Sequence, residues 1–144
     1  MGIIVVGGVV KKEDKYLLVQ EANANCRGKW NLPAGRLLPK ETIFDGTKRE
    51  IFEECGYNVT LTGIAHIGNR VMSDNEFLCV IFSTDIVDGT INFNKNEILD
   101  VNWFSYKEII EMHDELRSYD WITNAITAVE NNDIGNLDII RIIK

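Results

Sequence analysis

Proline and cysteine are scarce in this chain of 144 residues, which has two prolines and three cysteines. So few prolines argue against a disordered or linker-rich chain, and no repeat or low-complexity run is present. Cys26, Cys55 and Cys79 are widely spaced, odd in number and form no C-x-x-C pair. Neither a disulfide framework nor a zinc site is implied, and a reducing compartment is expected. Long apolar runs are missing as well. The segment from Met1 to Val10 is apolar but too short to span a membrane, and it lacks the basic start and cleavage site of a signal peptide. Gly2 raises myristoylation, but Val6 stands where Ser or Thr is wanted. Basic charge is not in surplus: 15 Lys+Arg against 22 Asp+Glu give a net charge of −7. That balance argues against a nucleic-acid or membrane partner. A cytoplasmic protein is the expectation.

The length fits one domain over residues 1–144, able to bury roughly two-thirds of its unfolded surface. Ile3–Val10 is a β-branched run expected as a buried strand, with Gly7 and Gly8 allowing close backbone approach. Lys11–Lys15 supplies a turn and Tyr16–Gln20 a returning strand, which together predict a hairpin. Residues 22–29 form a polar loop, followed by short strands at Trp30–Pro33 and Gly35–Leu38. Thr42 is the expected N-cap of a helix, with Asp45 three residues on, and Gly56 suits its left-handed stop. Asn58–Gly68, Phe77–Asp85 and Asp100–Phe104 are further strands. Ser105 caps a helix through Met112, and a last helix covers Tyr119–Asn131. Strands interspersed with a few helices predict an α/β (α+β) chain with a mixed sheet covered on both faces.

The helix between Thr42 and Gly56 carries the chemistry. Glu50, Glu53 and Glu54 share an arc of roughly 100° on its surface. Like charges at i,i+3 and i,i+4 repel, so such a helix is either solvated or built to hold a cation. Hard divalent ions take carboxylate oxygens and bind mainly where a phosphate supplies other ligands. Phe44, Ile51 and Cys55 form the apolar face, with Thr47 at its margin. That face lies beside the acids, which places them in a surface groove next to the sheet.

The stretch Gly35-Arg-Leu-Leu-Pro-Lys-Glu41-Thr-Ile-Phe-Asp-Gly-Thr-Lys-Arg49-Glu50-Ile51-Phe-Glu53-Glu54-Cys-Gly56-Tyr57 resembles the Nudix box, G-x5-E-x7-R-E-U-x-E-E-x-G-U, where U is a bulky aliphatic residue. Only Tyr57 departs, an aromatic in an aliphatic place. The resemblance implies the Nudix fold, an α/β/α sandwich. It also implies Mg2+ as cofactor, with Mn2+ as a substitute. Glu50, Glu53 and Glu54 are then the metal ligands, joined by the Gly35 carbonyl, and Glu41 supports them from behind. Arg49 lies four residues from Glu53, so an ion pair there holds the carboxylates in position. The metal neutralises phosphate oxygens and activates a water, whose proton a carboxylate accepts. In this family the base lies in the box or on a later loop, which leaves Glu53, Glu54 and Glu97 as candidates.

Arg27, Lys29 and Arg36 surround the Trp30-Asn-Leu-Pro-Ala-Gly segment and are candidate partners of the substrate's phosphates. Trp30 stacks on substrate or fills the core below the loop. His66 and His113 show no ligand spacing. The implied substrate is a small nucleotide. No proline follows Pro39, where ADP-ribose hydrolases of the family tend to carry one. What remains is a MutT-like hydrolase of nucleoside tri- or diphosphates, and Arg27-Gly-Lys-Trp30 resembles members acting on oxidised purine nucleotides. An ADP-ribose or nucleotide-sugar pyrophosphatase is the alternative, and a nucleotide-sensing module without hydrolysis is a third reading. The Ile134–Lys144 segment either covers the core or pairs subunits in a homodimer.

Overall fold

The computed structural model describes residues 2–144. Its first half runs β1 (Gly2–Val9), β2 (Lys11–Lys12), β3 (Lys15–Glu21), β4 (Trp30–Asn31), β5 (Ala34–Arg36) and α1 (Ile43–Cys55). The second half adds β6 (Tyr57–Val71), β7 (Glu76–Gly89), β8 (Ile98–Ser105), α2 (Tyr106–Glu111) and α3 (Tyr119–Glu130).

The expected hairpin between the first two long strands does not form. β1 pairs instead in parallel with β7, from Gly2 opposite Glu76 to Val9 opposite Ser83, and antiparallel with β5 on its other side. A short fold-back is all that remains: Lys11 and Lys12 pair with Tyr16 and Lys15, and the Leu17 N–H donates to the Val10 carbonyl at 2.9 Å, through a turn in which Glu13 takes a left-handed φ of 57°. Two four-stranded sheets result. One is mixed, in the order β5-β1-β7-β6. The other centres on β3, with β8 along one edge and β2 and β4 sharing the other. β6 and β7 extend beyond the predicted Asn58–Gly68 and Phe77–Asp85 because their pairing continues into polar, exposed ends, from Tyr57 opposite Gly89 to Val71 opposite Glu76.

Helices cover both faces of the mixed sheet. On one side Cys79 and Ile81 of β7 pack with Ile109, Ile122, Ala125 and Ile126 from α2 and α3. On the other, α1 turns Ile51 and Cys55 toward Leu17 and Val19 of β3 and Ile98 and Val101 of β8. α1 therefore sits where the two sheets meet. Its ends follow the predicted chemistry: Thr42 accepts the Asp45 N–H at 3.0 Å, and Gly56 takes φ 86° and donates to the Phe52 carbonyl at 2.9 Å. A Cβ at Gly56 would meet the Thr90 carbonyl, so the stop requires glycine on two counts. Tyr57 is well housed: it is buried, edge-on to Trp103 at 6.0 Å. Ser105 and Glu108 form a full capping box at α2. The C-terminal segment covers the core in part. Gly135 exchanges backbone hydrogen bonds with Ile64, and Leu137 and Ile140 pack on Ile64, Val80 and Phe82.

Among the described residues no helix is long and apolar enough to cross a membrane. The three cysteines are free, with Cys55 and Cys79 buried. Ile51 is fully buried, and its Cδ1 fills the space above Gly8 of β1. Ile51→Ala is expected to lower stability by about 2–5 kcal/mol, measured as a drop in the urea midpoint at unchanged slope.

Candidate active site

The site is built where α1 crosses the short strand β5. The segment leading into β5 is pinned by β1: the Gly8 N–H donates to the Pro33 carbonyl at 3.2 Å, and Gly7 faces Ala34 so closely that a Cβ has no room. Two acids of α1 meet this fixed backbone. Glu54 Oε1 accepts the Ala34 N–H at 2.8 Å. The Glu50 carboxylate lies over Gly35, in the space that a Cβ there would fill. The absent side chain at Gly35 is what lets an acid approach the strand.

Arg49 holds the acids in place. Its Nε and Nη2 donate to the two oxygens of Glu41 at 2.6 and 2.9 Å, a bidentate pair. Nη1 donates to Glu50 Oε1 at 2.8 Å and to Glu53 Oε2 at 3.2 Å, and Nη2 also reaches the Arg36 carbonyl at 3.3 Å. The predicted pairing with Glu53 is thus present, but it is the longest of the three and Glu53 is half exposed. Glu41 matters more than its place behind the cluster suggested, since it also accepts the Leu38 N–H at 3.1 Å and so fastens the loop before the helix. Its hydrogen bonds to Arg49 hold its carboxyl below the usual range.

Glu50 and Glu54 are perturbed the other way. Desolvation raises the Glu50 carboxyl despite its bond to Arg49. Desolvation raises Glu54 well above the ordinary value; its bond to Ala34 opposes this, and the charges of Glu21, Glu50 and Glu97 add to it. Glu97 lies on the loop before β8. Its carbonyl accepts the Ala22 N–H at 3.1 Å, which ties this loop to the end of β3.

Glu21 was not among the residues expected from the sequence. It is buried at 7% exposure, accepts from Asn31 Nδ2 at 3.2 Å and pairs with Arg117 at 3.4 Å. One signal was available: by strand periodicity Glu21 continues the row of Leu17 and Val19, an acid ending an apolar row.

The basic candidates lie apart from this cluster. Arg27 Nη1 donates to the Ala22 carbonyl at 3.0 Å, and Lys29 donates to the Asp114 carbonyl. With Gln20, Trp30 and His113 they line a groove of about 630 Å³ beside α2. The Arg36 side chain is exposed. Trp30 packs edge-on against Phe104 at 4.9 Å and is partly buried over the core, so its core role is realised. Replacing the guanidinium fork, Arg49→Lys, is expected to lower stability by about 1–3 kcal/mol, whereas Glu53→Gln changes it by less than about 0.5 kcal/mol. Urea titrations of the two variants check the contrast.

The chain matches the family model of the NUDIX domain over residues 2–124. It is 30% identical over 129 residues to a putative nudix hydrolase 1 of Caenorhabditis elegans, a match spanning 89% of this chain and 34% of that protein. It is 33% identical over 101 residues to the 8-oxo-dGDP phosphatase NUDT18 of Mus musculus, spanning 70% of this chain and 31% of that one. The chain thus spans about a third of the length of both relatives. Among solved structures, a NUDIX hydrolase from Nitrosomonas europaea superposes with a TM-score of 0.85 at 27% identity, covering 99% of this chain and 98% of that one. With the matched region holding the acid-bearing helix, the strand it crosses and both sheets, the chain belongs to the NUDIX domain family.

Proposed function

We propose that this chain hydrolyses a phosphoanhydride bond of a nucleoside tri- or diphosphate, releasing a nucleoside monophosphate with pyrophosphate or phosphate. The observation carrying this reading is the convergence of Glu50 and Glu54, both desolvated, on the backbone of Ala34 and Gly35. Carboxylates drawn partly out of water are costly unless paired, and of these two only Glu50 has a cation partner, Arg49. An arrangement that gathers several of them is suited to a centre whose charge is completed by a divalent ion.

The donor set fits such an ion. Glu50, Glu53, Glu54 and the Gly35 carbonyl offer only oxygen, the preference of Mg2+ or Mn2+ over softer metals. Among the described residues no three acidic, histidine or cysteine side chains already converge on one point. Glu50 is drawn to Arg49, and Glu54 to Ala34. When bound, the ion supplies neutralisation of phosphate oxygens and a more acidic water.

The protein's own part follows from the geometry. Arg49 and Glu41 tie the acid-bearing face of α1 to the loop before it, which limits how far the carboxylates must move to take an ion. The Ala34 N–H occupies Glu54 Oε1, which leaves Oε2 open to accept a proton from water. Glu97, on the loop tied to Ala22, is the other proton acceptor in reach of the same centre. Arg27, Lys29 and Trp30 border a separate groove, which we assign to the rest of the nucleotide. The likeness to an 8-oxo-dGDP phosphatase favours an oxidised purine nucleotide over a sugar-linked diphosphate.

Product analysis across 8-oxo-dGDP, dGTP and ADP-ribose with Mg2+ or Mn2+ is expected to show turnover of the nucleoside di- or triphosphates, abolished by chelation. Glu54→Gln is expected to cut turnover at least about a hundredfold with its thermal melt retained. Turnover near the wild-type rate in that variant would refute the reading.

A further inference from the structure

The buried Glu21 and the partly buried Glu54 come from different elements but are fastened to the same short segment. Asn31 Nδ2 donates to Glu21 Oε1, and three residues on the Ala34 N–H donates to Glu54 Oε1. That segment is pressed against β1 through Pro33 and Ala34. Glu21 itself sits at a bulge, where the pairing of β3 with β8 shifts between Gln20 and Glu21. Bulges re-aim side chains and recur beside active sites. The neighbouring backbone is fixed too: the Glu21 N–H donates to the Lys29 carbonyl at 2.8 Å, and its own carbonyl accepts the Gly28 N–H at 2.9 Å. A carboxylate at 7% exposure has thus been built into the floor next to a cluster that is already acidic.

One cation faces it. Arg117 is placed by its backbone N–H, which donates to the Trp30 carbonyl at 2.8 Å, and its guanidinium makes a single long contact of 3.4 Å to Glu21 Oε1 while remaining half exposed. A contact of that length neutralises only part of the Glu21 charge.

We propose that Glu21 is a positioning residue of the hydrolytic centre, whose charge strengthens divalent-cation binding at Glu50 and Glu54, and that Arg117 moderates that strength through its ion pair. The proposal rests on the reading of those acids as a cation centre. It assigns opposite effects to two partners in one ion pair. Removing the Glu21 charge weakens cation binding; removing the Arg117 charge releases more of the Glu21 field and tightens it. Loss of a purely structural contact would move both variants in the same direction.

Binding of Mn2+ alone, followed by the loss of the free-ion EPR signal, tests this without activity. Glu21→Gln keeps the shape and can still accept from Asn31; its dissociation constant for Mn2+ is expected to rise about tenfold. Arg117→Gln is expected to lower that constant about two- to fivefold. Unchanged binding in a folded Glu21→Gln protein overturns the proposal, as does unchanged or weaker binding in Arg117→Gln. Because the Arg117 side chain is half exposed, that arm decides the matter even if Glu21→Gln fails to fold. Absence of Mn2+ binding by the wild-type chain would overturn both this proposal and the cation-centre reading, whereas a wild-type signal with two indifferent variants overturns this one alone.

Discussion

One guanidinium organises the acidic face of this domain. Arg49 spends its donors on Glu41, Glu50, Glu53 and the Arg36 carbonyl, so the helix, the loop before it and the strand beneath are joined through a single side chain. The bidentate grip on Glu41 is the strong half, and the contacts to Glu50 and Glu53 draw on what remains of the fork. Lysine has the charge but not the geometry to do this. The cluster is stable because the residue that neutralises it is itself anchored by an acid outside the cluster. Glu41 in turn is fastened to Leu38, so the anchor reaches the loop between β5 and α1.

The second requirement is a backbone with nothing on it. Gly7 opposite Ala34, Gly8 beneath Ile51 and Gly35 beneath Glu50 each accept a neighbour where a Cβ belongs. These contacts stack β1, β5 and α1 more closely than side chains allow, and the acids reach the strand as a result. The same closeness desolvates Glu50 and Glu54. Packing and electrostatics are therefore one problem here. Core residues such as Ile51 bring the helix down onto the sheet, and the carboxylates on the adjoining arc are carried out of water with it.

What was legible in the sequence was what is local. The three acids, Arg49 and Ile51 lie on successive turns of one helix, so spacing alone places them on neighbouring arcs. Thr42 and Gly56 mark its ends by cap chemistry that works over three or four residues. The hairpin was misjudged because a β-branched run followed by a turn and another apolar run fits a hairpin equally well. The actual partner of β1 is β7, far along the chain, and nothing in either segment names the other. Glu21 was hidden for the same reason. Its significance depends on a bulge, on Asn31 across the sheet and on Arg117 near the start of α3, and these meet only in three dimensions. Arg27 and Lys29 flank Trp30 in sequence, yet their hydrogen bonds run to the carbonyls of Ala22 and Asp114 rather than to the acids.

A net charge of −7 and a polyanionic substrate look opposed, and the arrangement of charge reconciles them. The acids that would repel phosphate most strongly are those collected around Glu54, where a divalent ion reverses the local sign. Positive groups stand elsewhere: Arg27 and Lys29, bonded to the Ala22 and Asp114 carbonyls, and Arg117, paired with Glu21 beside the start of α3. Approach of a nucleotide is therefore governed by two regions of different origin. The helix and β5 meet through close contacts of Glu50 and Glu54 with Gly35 and Ala34. The 22–29 loop, Trp30 and the end of α2 line a separate groove that contains none of the helix acids, with Trp30 also packed on Phe104. Under the proposed function the acid-bearing helix selects the bond broken, and the groove selects the group beyond the phosphates. This is why a chain with an intact Nudix box declares its reaction class before its substrate.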